Sequence, residues 1–395
     1  MSRNLALKFA GVASLAVAAI ACANTTNNPP SGITTGTGGS TIDIMTGVGG
    51  VSGHPGGGGG GKGGRGDGGI PDAPVDGPGF DDPYLWFAGS AVNAFTKRQT
   101  FASGDSGPRY VFAPNFPVGS FHDLAFDREG NLWALPISGN QIIRLPAAQL
   151  TSGAPPSPNL VATSAAMNGP GSLNFDSAGN LWVMNFAGAG ISIANIVRFD
   201  DPRSLSGTVT MTASATVGPG AAAGDNVRFS QGTAIAFDAA GNLWFAGVSN
   251  LLRFDNPGAL HGNVTPAPSA VLSAREALSS IAFDASGGLW VTGAGNGYFV
   301  ARVDNAGSLT GVRDLAPAAK VHLPAASASF ASGMAFDGDG ALWIAMSNRL
   351  LKLASPGALT GDVTPTPDVL LGVNGVPDLT SKLVIRPKPT GLPIF

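Results

Sequence analysis

Five times the chain repeats one pattern of apolar and polar positions: LAFDREGNLWAL (124–135), LNFDSAGNLWVM (173–184), IAFDAAGNLWFA (235–246), IAFDASGGLWVT (281–292) and MAFDGDGALWIA (334–345). In each copy an apolar run ends in Phe-Asp, a short turn holds a Gly, and a second apolar run opens on Leu-Trp. Two such runs around turn residues predict a β-hairpin. Asp127, Asp176, Asp238, Asp284 and Asp337 are turn residues by this reading, placed to accept hydrogen bonds from turn amides. A third run follows in each copy, SGNQIIRL, IANIVRF, VSNLLRF, NGYFVARV and SNRLLKL, with Asn at the preceding turn. A looser segment such as DNPGALHGNVTPAPSAVL (255–272) comes next, and its last residues predict a fourth strand.

The Phe positions 126, 175, 237, 283 and 336 recur at intervals of 46 to 62 residues. Units of this size cannot each bury a face alone, so they imply a ring or a stack. Four strands per unit predict a propeller blade. The stretch YLWFAGSAVNAFTKR (84–98) has the Leu-Trp strand and the third strand but no Phe-Asp strand before it, whereas SKLVIRPKPTGLPIF (381–395) has a first strand and little after it. The two ends thus complete one blade between them, although LPIF (392–395) competes with YLWFA for the same slot. All six Trp of the chain (Trp86, Trp133, Trp182, Trp244, Trp290 and Trp343) fall at the Leu-Trp position. The expected fold is all-β: a six-bladed propeller of four-stranded blades over residues 82–395, closed by pairing of its N- and C-terminal strands. The extra length between Phe175 and Phe237 reads as a loop over the channel face.

These blades resemble bacterial NHL-type, streptogramin lyase-like and gluconolactonase-like propellers, whose hairpins carry a D-x-x-G-N-L-W/Y-V motif. The resemblance covers nearly all of 82–395 and is specific for architecture but not for activity, since such rings host enzymes, sensors and binding modules. It implies, for the gluconolactonase-like enzymes, a channel metal held by Glu, Asn and Asp, and for the lyases a His–Glu type site.

A residue repeated in every blade serves the fold; one that departs from the repeat is the candidate for function. Asn93, Asn140, Asn195, Asn250, Asn296 and Asn348 recur at turns, and Lys97, Arg144, Arg198, Arg253, Arg302 and Lys352 recur near the end of the third strand, where pairing with a neighbouring blade, snorkelling and an anion-binding ring are all open. Before the Phe-Asp strand most copies carry small residues, but SFHDLAFD places His122 and Asp123 there. Asp225, Arg228, Arg275, Glu276 and Lys382 occupy related stretches, and together they form a candidate ligand-binding rim at one channel mouth. The equally weighted alternative is that they are solvated loop charges. His122 and Glu276 are the only pair matching the lyase arrangement in residue type, so they are the catalytic candidates. No His cluster forms from His122, His261 and His322, so no metal site is assigned, and a divalent ion in the channel rests on resemblance alone.

The remaining features lie outside the repeats. Arg3 and Lys8 precede an apolar run, Phe9 to Ala21, too short to span a bilayer comfortably. It ends in AIAC, where Cys22 is the one cysteine of the chain. Small residues followed by Cys resemble a bacterial lipobox, which implies a signal peptide over 1–21, acylation at Cys22 and, with Ala23 rather than Asp next, an outer-membrane address. Residues 22–81 are a Gly- and Pro-rich tether with too little apolar surface to fold; a coil of that length reaches about 40 Å. Within it, GGGGGGK (56–62) lacks the Ser or Thr and the preceding strand of a phosphate loop, and RGD (65–67) is a chance match in low-complexity sequence.

Residues 82–395 carry 18 Lys and Arg against 20 Asp and Glu, with no basic stripe, which argues against a nucleic-acid partner. The expectation is a monomeric domain on an exported lipoprotein, binding an extracellular ligand or protein without catalysis. The competing reading is a metal-dependent lyase or lactonase-like enzyme at the channel mouth.

Overall fold

The computed structural model describes residues 82–386 except 90, 105–106, 113–119, 138, 152–154, 187–193, 220–228, 230, 296, 324–330, 347–348 and 373–381. The signal peptide, Cys22 and the tether lie outside the described residues, as does LPIF at 392–395.

Six antiparallel blades form a ring, each built outward from an innermost strand a to an outer strand d. Blade 2 contains Phe121–Phe126, Leu132–Pro136, Gln141–Leu145 and Leu160–Thr163. Blade 3 contains Pro170–Phe175, Leu181–Asn185, Asn195–Phe199 and Ala215–Val217, and blade 4 Gly232–Phe237, Leu243–Gly247, Asn250–Phe254 and Ala270–Ser273. Blade 5 contains Ala277–Phe283, Leu289–Gly295, Gly297–Val303 and Ala319–His322, and blade 6 Ala331–Phe336, Leu342–Met346, Arg349–Leu353 and Val369–Gly372. Blade 1 is the composite one: C-terminal Leu383–Ile385 pairs with Pro83–Ala88, followed by Val92–Thr96 and Tyr110–Phe112. Pro83–Ala88 therefore has partners along both edges, and its slot is filled. Each innermost strand packs on those of both neighbours, and the cycle closes from Leu383–Ile385 to Phe121–Phe126.

The core lies between blades. All six Trp are fully buried, and five set an edge against the Phe of the following blade: Trp86 on Phe126, Trp133 on Phe175, Trp182 on Phe237, Trp244 on Phe283 and Trp290 on Phe336, with ring centroids 5.4–6.0 Å apart. Trp343 closes the series in a cluster with Leu383 and Ile385. Five of the six indoles are oriented from behind by the repeated aspartate. Asp127, Asp176, Asp238, Asp284 and Asp337 accept the Trp Nε1–H of their own hairpin at 2.8–3.0 Å, and their second oxygen accepts turn amides. The Phe-Asp and Leu-Trp halves of the motif are thus one clamp.

The segment between strands c and d is more ordered than its sequence suggests. It makes a short 3-10 turn and then a strand that adds in parallel to the outer strand of the preceding blade. Gly207–Thr210 extends blade 2, Gly262–Val264 blade 3, Gly311–Asp314 blade 4 and Gly361–Val363 blade 5, so these four sheets have five strands instead of the expected four. Gly104 makes the equivalent contact on Leu371 of blade 6. Each strap strand begins at a glycine with φ between +65° and +74°, a conformation that turns the chain back along the neighbour.

The recurring third-strand cations serve the same junctions. The guanidinium groups of Arg144, Arg198, Arg253 and Arg302 sit 5.4–5.9 Å from the Trp ring of their own blade. They donate to carbonyls of the next blade's 3-10 turn and its flank: Arg203 and Leu205, Pro257 and Gly258, Ala306 and Gly307, and Gly357 respectively. Of the roles open to these residues, pairing with a neighbouring blade is the one the structure shows.

Candidate functional site at the channel mouth

At the start of each innermost strand of blades 2 to 6 the register skips one residue, which makes a β-bulge. A bulge bends the strand and re-aims its extra side chain. The extra residues are His122, Gly171, Thr233, Ser279 and Ser332. Their hydroxyls are engaged locally: Thr233 donates to the Ala246 carbonyl, and Ser279 bonds Thr292 at 2.7 Å and the Ala331 carbonyl at 2.8 Å. His122 is the single imidazole in this series. It is half-buried and has no hydrogen-bond or ionic partner among the described residues, and burial holds its pKa below the ordinary 6.5.

One step further along the strands, Asp123, Ser172, Ala234, Ser280 and Gly333 share a register position, and Lys382 completes the layer in blade 1. Asp123 is only 2% exposed. Its carboxylate accepts the amides of Leu124 at 2.8 Å and Leu173 at 2.9 Å, and Lys382 Nζ lies 3.9 Å away while donating to the Leu173 carbonyl at 3.2 Å. Burial raises the Asp123 pKa against the opposing pull of Lys382 and of the bonds from Leu173, Ser172 and Leu124. Ser172 Oγ in turn accepts the Ile235 amide at 3.4 Å. Lys382, Asp123 and Ser172 therefore tie four consecutive innermost strands together.

The structure brings Asp123 and Lys382 together and gives Glu276 and Arg275 separate partners. Glu276 pairs with Lys320 at 2.6 Å, and the Lys320 ammonium rests 4.4 Å from the centre of the Phe299 ring. Arg275 is 88% exposed and reaches Asp314 of the strap at 3.6 Å. Asp225 and Arg228 lie outside the described residues; between them and strand a of blade 4, Phe229 is buried against Phe245 and Phe254. No hydrogen bond links His122 to Glu276. His261 lies elsewhere, with Nδ1 3.3 Å from Arg198, and His322 ends strand d of blade 5.

Sequence reading missed Ser172 and Lys320. The first is recoverable by counting three residues back from each Phe of the motif; the second carries no local signal, because its partner is 44 residues away. Among the described residues no three His, Cys, Asp or Glu side chains come together to hold a metal ion. At the other end of the ring, a cleft of about 340 Å³ is lined by Glu129, Asn131, Arg144, Asp201, Arg203 and Ser204, with Arg203 bound to Asp201 at 2.8 Å and to Glu129 at 3.2 Å.

Strand order and ring closure define the class, a six-bladed β-propeller. No family model and no curated protein matches the chain. Among solved structures, it is similar to a catalytically inactive virginiamycin B lyase from Staphylococcus aureus with quinupristin (16% identity, 63% of this chain and 71% of that chain, TM-score 0.40). It is also similar to a protein of unknown function from Bacteroides caccae (11%, 74% and 100%, TM-score 0.45) and to the Cps50 (Swd1) β-propeller domain of Myceliophteria thermophila (14%, 70% and 81%, TM-score 0.46). At these identities the likeness is one of fold alone.

Proposed function

We propose that the chain is an exported lipoprotein, anchored through acylated Cys22 and held off the membrane by residues 23–81, whose propeller binds an extracellular ligand or protein at the His122 mouth without converting it. The observation that carries this reading is the isolation of His122. Its imidazole is kept neutral by burial and lacks a partner among the described residues, so it can both donate and accept a hydrogen bond. The acidic candidates are already committed: Asp123, its neighbour in the chain, to two amides and Glu276 to Lys320. The lipid anchor is tested by Cys22→Ser, which is expected to move the protein from the membrane to the soluble fraction; a Cys22→Ser chain that stays with the membrane overturns it. Binding at the mouth is tested by His122→Ala, which is expected to abolish ligand-induced thermal stabilisation while leaving the melting of the free protein within about 1 °C; unchanged stabilisation by ligand would remove the mouth from the account.

A further inference from the structure

Blade 1 closes the ring by means that the other five blades do not use. Trp86 pairs with Val384, whereas Trp133 pairs with Ala125, and counting along both strands places Arg386 at the position of Asp127. The sixth indole thus has a guanidinium where the other five have a carboxylate. Trp86 Nε1 is accordingly buried without an acceptor. The innermost strand of blade 1 is three residues long with three register pairs, against six or seven residues in blades 2 to 6.

This strand meets blade 2 through a charged residue at each end, with Val384 between them packed on the apolar cluster that includes Trp86, Leu124 and Leu132. Lys382 at its start lies 3.9 Å from Asp123, and Arg386 at its end packs on the Phe126 ring at 5.5 Å within the field of Asp127 and Asp82. Lys382 and Arg386 therefore match Asp123 and Asp127 position for position. At the junctions from blade 3 through to blade 6, the innermost strands present Ser172, Ala234, Ser280 and Gly333 at the Asp123 level, none of them charged.

We infer that Leu383–Ile385 is a releasable clasp with charged ends, which detaches as a unit from Pro83–Ala88, from blade 2 and from its cluster with Trp343 of blade 6, while blades 2 to 6 stay folded. Short pairing and an unsatisfied buried donor lower the local opening free energy relative to the other inner strands. Release uncovers the inner edge of Pro83–Ala88 and the Lys382–Asp123 layer beneath the His122 mouth.

Native-state hydrogen exchange of the full chain, resolved to peptides by mass spectrometry, tests this directly. Amides of 383–386 are expected to exchange at least tenfold faster than those of Pro170–Phe175, and raising salt from 0.05 to 0.5 M is expected to widen that ratio. Lys382→Met is expected to speed 383–386 severalfold further and leave Ala277–Phe283 of blade 5, which Lys382 does not touch, unchanged, with Lys382→Arg restoring the slower rate. Equal protection of the two strands in the wild-type chain overturns the clasp without any variant. Exchange of all six inner strands in one cooperative step, at every salt concentration, overturns it equally.

Discussion

Comparing Trp244→Phe with Trp86→Phe isolates the clamp that recurs through the ring. Both indoles are fully buried at equivalent positions, so each substitution removes a similar ring and leaves a similar cavity. They differ in one bond. Trp244 Nε1 donates to Asp238 Oδ2 at 3.0 Å, whereas Trp86 Nε1 has no acceptor. Trp244→Phe loses a hydrogen bond to a charged group, worth about 1.5–3 kcal/mol. Trp86→Phe loses none and relieves an unsatisfied buried donor, a gain of about 1–3 kcal/mol. With the shared packing loss cancelling, Trp244→Phe is expected to be the less stable by about 2.5–6 kcal/mol. Urea unfolding with the slope held common to both variants reads the difference from the midpoints. Variants equal to within about 0.5 kcal/mol would refute the idea that the aspartate–indole bond, rather than the ring alone, stabilises each blade.

Three further outcomes follow from the same contacts. Arg253→Met keeps a stem over Trp244 but removes the bonds to the Ala306 and Gly307 carbonyls, so it is expected to cost about 2–4 kcal/mol and to speed exchange in Gly311–Asp314; slow exchange there would separate the arginine from the strap. Gly311→Ala meets nothing within 4 Å, yet it forces a side chain onto φ +69°, for an expected loss of about 1 kcal/mol in urea unfolding; no loss would mean the strap does not need that turn. His122 has a folded pKa below its unfolded value, so the folded state resists its protonation. Stability is expected to fall as pH drops through 6.5 toward the folded pKa, and His122→Gln is expected to flatten that part of the profile; an identical profile in both proteins would contradict the burial argument.

The hairpins, the Trp slots and the shared terminal blade were legible in the sequence, because they rest on local signals: period-two runs, Asp and Gly turns, and a missing strand at each end. The straps were not. Gly262–Val264 and Gly311–Asp314 are short and largely exposed, and their partners lie in the preceding blade, so no amphipathic pattern marks them. The arginines were visible as a series, but their acceptors are backbone carbonyls, which have no sequence signature. At the candidate site the sequence marked His122 at a departure from small residues, and the structure places it at a β-bulge. It gave no sign that Asp123, one residue on, turns inward to bind Leu173, since the bulge that separates the two is a property of the pairing.

The most direct measurement of the central proposal is a titration of the protein, labelled on its histidine rings, with a panel of extracellular small molecules and peptides. The His122 imidazole signals are followed by NMR, and each ligand is recovered and weighed by mass spectrometry. The account predicts that a ligand which raises the melting temperature shifts His122 ahead of His261 and His322 and is recovered with its mass unchanged. A ligand recovered cleaved or isomerised would contradict binding without conversion, and one that stabilises the protein while leaving His122 unmoved would contradict the mouth as the site.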